Sequence, residues 1–257
     1  MLLVIDVGNT NMVLGVYSGS RLLQDWRVHT ERNTTEDEFN VLIHSLFAGD
    51  DIRLNDVDKT FISCVVPPMV TILDAFCKKY LGHAPQWVNA KNCAGMPILF
   101  KNPAEVGADR IVNAVAAFHK YKTSLIVVDF GTATTFDAIS KKGEYLGGAI
   151  SPGIGIASEA LFRKASKLPR VEIFTPPEAV IGKDTISGIQ SGIIFGYAGL
   201  VDGIVQRMKT EMGTDPKVIA TGGLAELLFD VSGTIEAVEP ALTLEGLRVI
   251  ANNMKSV

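Results

Sequence analysis

The most sharply patterned stretch of the chain is an unbroken apolar run, Leu125 to Val128, that ends in Asp129-Phe130-Gly131-Thr132-Ala133-Thr134-Thr135. Leucine and β-branched residues followed by an acid, a glycine and a string of hydroxyls predict a buried strand entering a polar turn. The chain opens with the same pattern: Leu2 to Ile5 is apolar, and Asp6-Val7-Gly8-Asn9-Thr10-Asn11 follows. Each copy runs on into a second strand-like segment, Met12 to Tyr17 and Phe136 to Ser140. At a shift of 123 residues Leu2/Leu125, Val4/Val127, Asp6/Asp129, Gly8/Gly131 and Leu23/Leu146 coincide, so the chain reads as a duplicated half.

Between and after these turns the pattern alternates strand with helix. Arg21 to His29 continues the first meander, a polar loop covers 29–34, and Thr35-Glu36-Asp37-Glu38 has the form of a capping box opening a helix from Phe39 to Phe47. Thr60 to Val66 is a further strand, Pro67-Pro68 breaks it, and Val70 to Tyr80 has helical spacing. Gln86 to Leu99 reads as a short strand and loop. Ile111 to Tyr121 carries Ile111, Ala114, Val115 and Phe118 on one helical face, which puts Asp109 at a helix N-terminus. Gly147 to Gly155 is too glycine-rich for a regular element, and a helix follows from Ala157 to Phe162. Gly182 to Gly188 opens a long helix, Ile186 to Gln206, and the strand Val218 to Ala220 enters Thr221-Gly222-Gly223, a third glycine turn. The order is that of an α/β protein.

The long helix is the one segment with the length and apolarity of a membrane span. Gln190, Ser191, Asp202 and five glycines argue against that, and the spacing Gly192-x-x-x-Gly196 and Gly199-x-x-x-Gly203 suits close packing of a partner helix. Met1 leads straight into an apolar strand without the basic start of a signal peptide. Three widely spaced cysteines, Cys64, Cys77 and Cys93, fit reduced thiols in a cytoplasmic protein. With 24 basic against 28 acidic residues, and no basic run, the chain shows no footprint for nucleic acid.

The turns carry the candidate chemistry. A glycine lets the backbone approach an anion closely and adopt positive φ, consecutive N–H groups and hydroxyls can grip phosphate, and a carboxylate can hold a metal ion. One such turn alone reads better as the end of a hairpin; two at matched positions and a third further on favour the phosphate reading. Asp109 has two readings from its residues: a helix cap, or a functional acid with Arg110 beside it. Neither Gly-x-x-x-x-Gly-Lys-Ser/Thr nor Gly-x-Gly-x-x-Gly occurs. The four histidines lie outside every motif and read as structural.

Two Asp-x-Gly turns related by duplication, with a Thr-Gly-Gly turn after them, resemble the actin, heat-shock chaperone and sugar-kinase superfamily, whose two ribonuclease-H-like halves bind ATP in the cleft between them. More closely, Asp6 to Thr10, Gly107-Ala108-Asp109-Arg110, Asp129 to Thr134, Gly147 to Gly153 and Thr221 to Gly223 together resemble type III pantothenate kinase, over essentially the whole chain.

The resemblance implies two actin-like halves with mixed sheets flanked by helices, 1–112 and 113–257, and ATP-dependent phosphorylation of pantothenate as the first step of coenzyme A synthesis. It implies that Asp6, Val7, Gly8, Asn9, Thr10, Asn11, Met12 and Val13, with Thr132, Gly222 and Gly223, surround ATP. It assigns Mg²⁺ to Asp6 through water and a monovalent cation, potassium or ammonium, to Asp129. Gly107, Ala108, Asp109 and Arg110 would meet pantothenate, with Asp109 as general base. Phe100 would form an aromatic wall where the family often has Tyr. Thr185 would complete the pocket from the second subunit of a cytoplasmic homodimer that binds neither nucleic acid nor membrane. A phosphatase of the same superfamily, or a catalytically altered relative serving transcription, is the alternative.

Overall fold

Leu3, Val4, Ile5 and Val7 of strand β1 (Leu2–Val7) are buried on both faces, which requires a central place in a covered sheet. The computed structural model describes residues 1–50, 52–165, 167–172 and 175–254, and gives β1 that place. On one side it pairs antiparallel with β2 (Asn11–Ser18), which pairs with β3 (Arg21–His29); on the other it pairs parallel with β4 (Lys59–Cys64), and β5 (Gln86–Trp87) forms the edge. Helix α1 (Glu36–Ala48) starts at the expected capping box: the Glu38 N–H donates to the Thr35 hydroxyl and the Thr35 N–H to the Glu38 carboxylate. Phe39, Ile43 and Phe47 of α1 enter the first core, where Phe47 stacks on Trp26 and Phe39 meets Phe76 edge-on.

The proline pair that ends β4 also begins the next helix. Helix α2 is Pro67–Phe76, three residues ahead of the spacing-based start, because a first helical turn has no use for the missing proline N–H. It widens into a turn at Cys77–Leu81 and stops at Gly82, whose φ of +73° favours glycine. Helix α3 (Ala108–Tyr121) buries Ile111 through Ala117.

The second sheet repeats the first. Strand β6 (Leu125–Phe130) pairs antiparallel with β7 (Ala133–Ile139), which pairs with β8 (Tyr145–Pro152); on its other side β6 pairs parallel with β9 (Lys217–Gly222), and β10 (Ala237–Val238) is the edge. The duplication expected from the 123-residue shift is thus a duplication of topology. One expectation fails here: β8 includes Gly147 to Pro152, the stretch judged too glycine-rich for a regular element. It is the sheet's other edge strand, held by its ladder to β7, and Gly147 at φ +127° accommodates the irregular register opposite Ala138 and Ile139.

Helices α4 (Ile154–Lys164), α5 (Thr185–Met212) and α6 (Ala225–Phe229) belong with this sheet. By length and composition α5 could cross a membrane. One face of it, with Ile194, Tyr197, Ala198, Val201 and Val205, packs into the second core, and Asp202 accepts hydrogen bonds from Ser232, Gly233 and Thr234.

The last helix, α7 (Leu242–Asn253), lies with the first sheet. Tyr17 donates to Glu245, Thr243 donates to Asn113, and Gly246 approaches so closely that a Cβ there would stand 2.6 Å from Val112 Cγ1. The chain therefore forms two compact units: 1–96 with 100–119 and 242–257, and 97–99 with 120–241. The expected 112/113 division and the 119/120 boundary of these units both fall within α3.

Candidate active site

The first Asp-x-Gly turn closes the β1–β2 hairpin. The Gly8 N–H donates to the Asn11 carbonyl at 3.0 Å, and Asn9 and Thr10 are exposed at the tip. Asp6 is half-buried one residue before the end of β1, in register with Val13 and Ser63. The turn is braced from outside by the loop after β3. The Thr30 hydroxyl donates to the Gly8 carbonyl at 2.7 Å, the Thr30 N–H donates to the Thr10 carbonyl at 3.0 Å, and Arg32 Nη2 donates to Asn9 Oδ1 at 3.1 Å. Two main-chain acceptors of the turn are thus engaged by this loop. Nothing in the sequence beyond the polarity of the loop marked Thr30 or Arg32.

In the second unit the Gly131 N–H donates to the Ala133 carbonyl at 3.1 Å, with Gly131 and Thr132 exposed. This turn rests on Gly153, whose N–H donates to the Thr132 carbonyl and where a Cβ would stand 2.5 Å from the Gly131 carbonyl oxygen. Asp129 is half-buried, in register with Thr135 and Thr221. The Thr-Gly-Gly turn is joined to it: Gly222 has φ +94°, and a Cβ there would stand 2.6 Å from Asp129 Oδ1 and 2.7 Å from the Phe130 nitrogen. Only this third glycine needs positive φ; Gly8 and Gly131 have ordinary backbone angles. Thr221 spends its hydroxyl on the Glu239 carbonyl, at 2.8 Å. Gly223 is exposed beside it.

Asp109 is the second residue of α3, inside its first turn, and the Ile111 N–H bonds to the Gly107 carbonyl. Gly107 stands at the helix boundary, so the cap reading of Asp109 fails: the chain turns helical before reaching it. Asp109 Oδ1 instead accepts from the Arg110 N–H at 2.8 Å. Burial pushes the Asp109 carboxyl above the usual carboxylate range, outweighing the Arg110 N–H and guanidinium, which pull it down. Gly107 makes room for this carboxylate, since a Cβ there would stand 2.5 Å from Asp109 Oδ1. Arg110 is 8% exposed, and Ala108 and Phe100 are half-buried. Thr185 is exposed at the start of α5, where Asp184 caps the helix through the Ser187 N–H.

None of the three thiols is disposed to react: burial raises all of them, Cys77 to about 12. Among the described residues no group of three or more His, Cys, Asp or Glu side chains could cage a metal ion. What the turns offer is backbone N–H groups, hydroxyls and single carboxylates, the equipment for binding a phosphate chain with its own cation.

A sequence model of the type III pantothenate kinase family matches residues 2–207. The chain belongs to the type III pantothenate kinase family. It is 67% identical over 256 residues to the type III pantothenate kinase of Desulfatibacillum aliphaticivorans, covering all of both chains. It is 57% identical over 250 residues to that of Geobacter sulfurreducens, covering 97% of this chain and 98% of the relative. Among solved structures it resembles (R)-2-hydroxyglutaryl-CoA dehydratase component A of Acidaminococcus fermentans, with a TM-score of 0.59 at 16% identity over 99% of both chains. The inorganic polyphosphate/ATP-glucomannokinase of an Arthrobacter species gives a TM-score of 0.50 at 14% identity, covering 98% of this chain and 97% of that one. These two likenesses speak for the fold alone, an actin-like α/β fold with two mixed sheets flanked by helices. For a family member the expected site residues now have places: the first turn and the Gly107–Arg110 segment in the first unit, Asp129, Thr132, Gly222 and Gly223 in the second.

Proposed function

We propose that this protein phosphorylates pantothenate with ATP, yielding 4'-phosphopantothenate and ADP, the first step of coenzyme A synthesis. The observation that carries this reading is full-length membership of the type III pantothenate kinase family. In this reading Asp109 accepts the proton of the primary hydroxyl of pantothenate. The freed oxygen pair attacks the terminal phosphorus of ATP in line, and the bond to the bridging oxygen breaks to release ADP. A base whose pKa is raised towards the working pH suits that role, and its position beside Arg110 places a cation near the substrate. Phe100 supplies an aromatic wall, and Gly107 and Ala108 let the substrate approach the helix start.

Asp6 to Val13 and Thr132 bind the phosphates of ATP, while Gly222 and Gly223 offer bare backbone to the adenosine. The donor set fits a Mg²⁺ ion that takes most of its oxygen ligands from phosphates and water, with Asp6 contributing through water. Asp129, a half-buried carboxylate pressed against the Thr-Gly-Gly turn, is the residue for potassium or ammonium. When bound, these ions supply charge neutralisation; positioning is left to the protein, as phosphoryl transfer through a loose transition state demands.

The protein acts as a cytoplasmic homodimer, with Thr185 completing the pantothenate pocket of the other subunit. What supports the dimer is uncovered apolar and glycine positions on the second unit: Ile150 and Ile186 are 65% and 52% exposed, and Gly192, Gly196 and Gly199 of α5 face open space within the chain. Mixing the protein with pantothenate, ATP, Mg²⁺ and potassium tests the activity. Stoichiometric ADP and phosphopantothenate are expected; free phosphate in their place would mark a phosphatase, and no turnover would refute the reading.

A further inference from the structure

We infer that Arg32 is a phosphate-binding residue, set against the first turn so that its guanidinium meets the phosphate chain of ATP. This rests on the reading of Asp6 to Val13 as the ATP turn and adds to it a residue outside the turn. The argument begins with charge. From Asp6 to Val13 the turn has one carboxylate and no basic side chain, and Mg²⁺ cancels only part of the charge of a polyphosphate. Any cationic side chain that meets the phosphates has to come from elsewhere in the chain.

The loop after β3 delivers one. Thr30 ties this loop to the turn twice, through the Gly8 and Thr10 carbonyls, and two residues later Arg32 reaches the side chain of Asn9 at the exposed tip. Arg32 is itself exposed, and among the described residues it has no ion pair within 4.0 Å. The neighbouring Glu31 makes no ion pair with it; the Glu31 carboxylate is turned to the Asn33 N–H, from which it accepts at 3.1 Å. A guanidinium has five N–H donors in a rigid fork, and the contact with Asn9 occupies one nitrogen; that fork matches phosphate oxygens. As a brace alone the residue is poorly chosen, since one exposed hydrogen bond to a neutral amide contributes little and leaves a fixed charge at the tip of an anion-binding turn.

The test compares Arg32→Gln, Arg32→Lys and Arg21→Gln in the full-length protein. Gln can keep the single bond to Asn9 without the charge, Lys keeps the charge without the fork, and Arg21→Gln removes the same charge from the opposite end of β3. Mg-ATP affinity is measured by calorimetry, and KM for ATP and for pantothenate by ADP release. Arg32→Gln is expected to weaken Mg-ATP binding roughly 10- to 100-fold, with the KM for pantothenate and the Tm unchanged and a shallower salt dependence. Arg32→Lys falls between it and the wild type, and Arg21→Gln stays within about two-fold of the wild type. If wild-type protein binds ATP and Arg32→Gln binds it equally well, or loses no more than Arg21→Gln, the inference is overturned while the reading of the turn stands. If wild-type protein binds no ATP, both fall.

Discussion

Replacing Gly107 by alanine should inactivate the protein without unfolding it. The added Cβ would lie 2.5 Å from Asp109 Oδ1, where carbon and oxygen do not approach below about 3.0 Å and are comfortable near 3.4 Å, so the carboxylate has to retreat by about 0.5–0.9 Å. What yields is the end of a side chain, not main chain, and the fold loses the bond from the Arg110 N–H and the preference of a helix cap for glycine over alanine, about 1 kcal/mol each. A general base displaced by most of an ångström is another matter, because misplacements of about 1 Å cost on the order of 10²-fold in rate. Gly107→Ala should therefore lower kcat by roughly 10²-fold while Tm moves by only a few degrees. Steady-state ADP release and thermal melting read the two effects separately. The double variant Gly107→Ala/Asp109→Asn sharpens the test: once the base is gone its displacement can cost nothing further, so the double should be no slower than Asp109→Asn. Turnover within three-fold of wild type in the single variant, or losses that multiply in the double, would refute the placement of Asp109 as the base that Gly107 makes room for.

Asp109→Asn should keep the bond from the Arg110 N–H and the fold, yet lose roughly 10²- to 10⁴-fold in kcat. Because the folded carboxyl is raised, the acidic limb of the wild-type kcat/KM profile should lie above the ordinary aspartate value of about 3.9, and the variant should lack it. Exchanging potassium for sodium should sharply lower turnover, and Asp129→Ala should abolish most of that difference; equal rates in both salts would count against Asp129 as the cation site. Asp202→Ala removes the acceptor for Ser232, Gly233 and Thr234 and should cost about 2–3 kcal/mol in denaturant unfolding. Burial works to raise that carboxyl, but its hydrogen bonds outweigh burial and hold it low, so its stabilisation is present above about pH 3.9 and lost as pH falls through the lower folded value. A gap between wild type and variant that persists well below that range would contradict this. Sedimentation should give about twice 27.6 kDa, and a fully active monomer would rule out a shared pocket.

What the sequence determined by itself was everything written in short-range pattern. The apolar runs before Asp6 and Asp129, the Thr35 to Glu38 capping box and the 123-residue repeat depend on strand period, cap chemistry and duplication, all readable within a few residues or by sliding the chain on itself. The family could be read for the same reason, since its motifs are contiguous. Tertiary structure decided what depends on partners far away in the chain. Helix α7 had no sequence signal tying it to the first sheet, and its place follows from Gly246 meeting Val112 and Glu245 meeting Tyr17, 228 residues apart. Gly147 to Pro152 became a strand because β7 offered an edge, which no local propensity records. Asp109 is no cap because the helix starts at Ala108, and Thr30 and Arg32 meet the turn at Gly8 and Asn9 only because β3 returns them to it. Local pattern fixes which elements form, because each is stabilised by neighbours along the chain; which groups meet at the site is set by register and close approach across the fold.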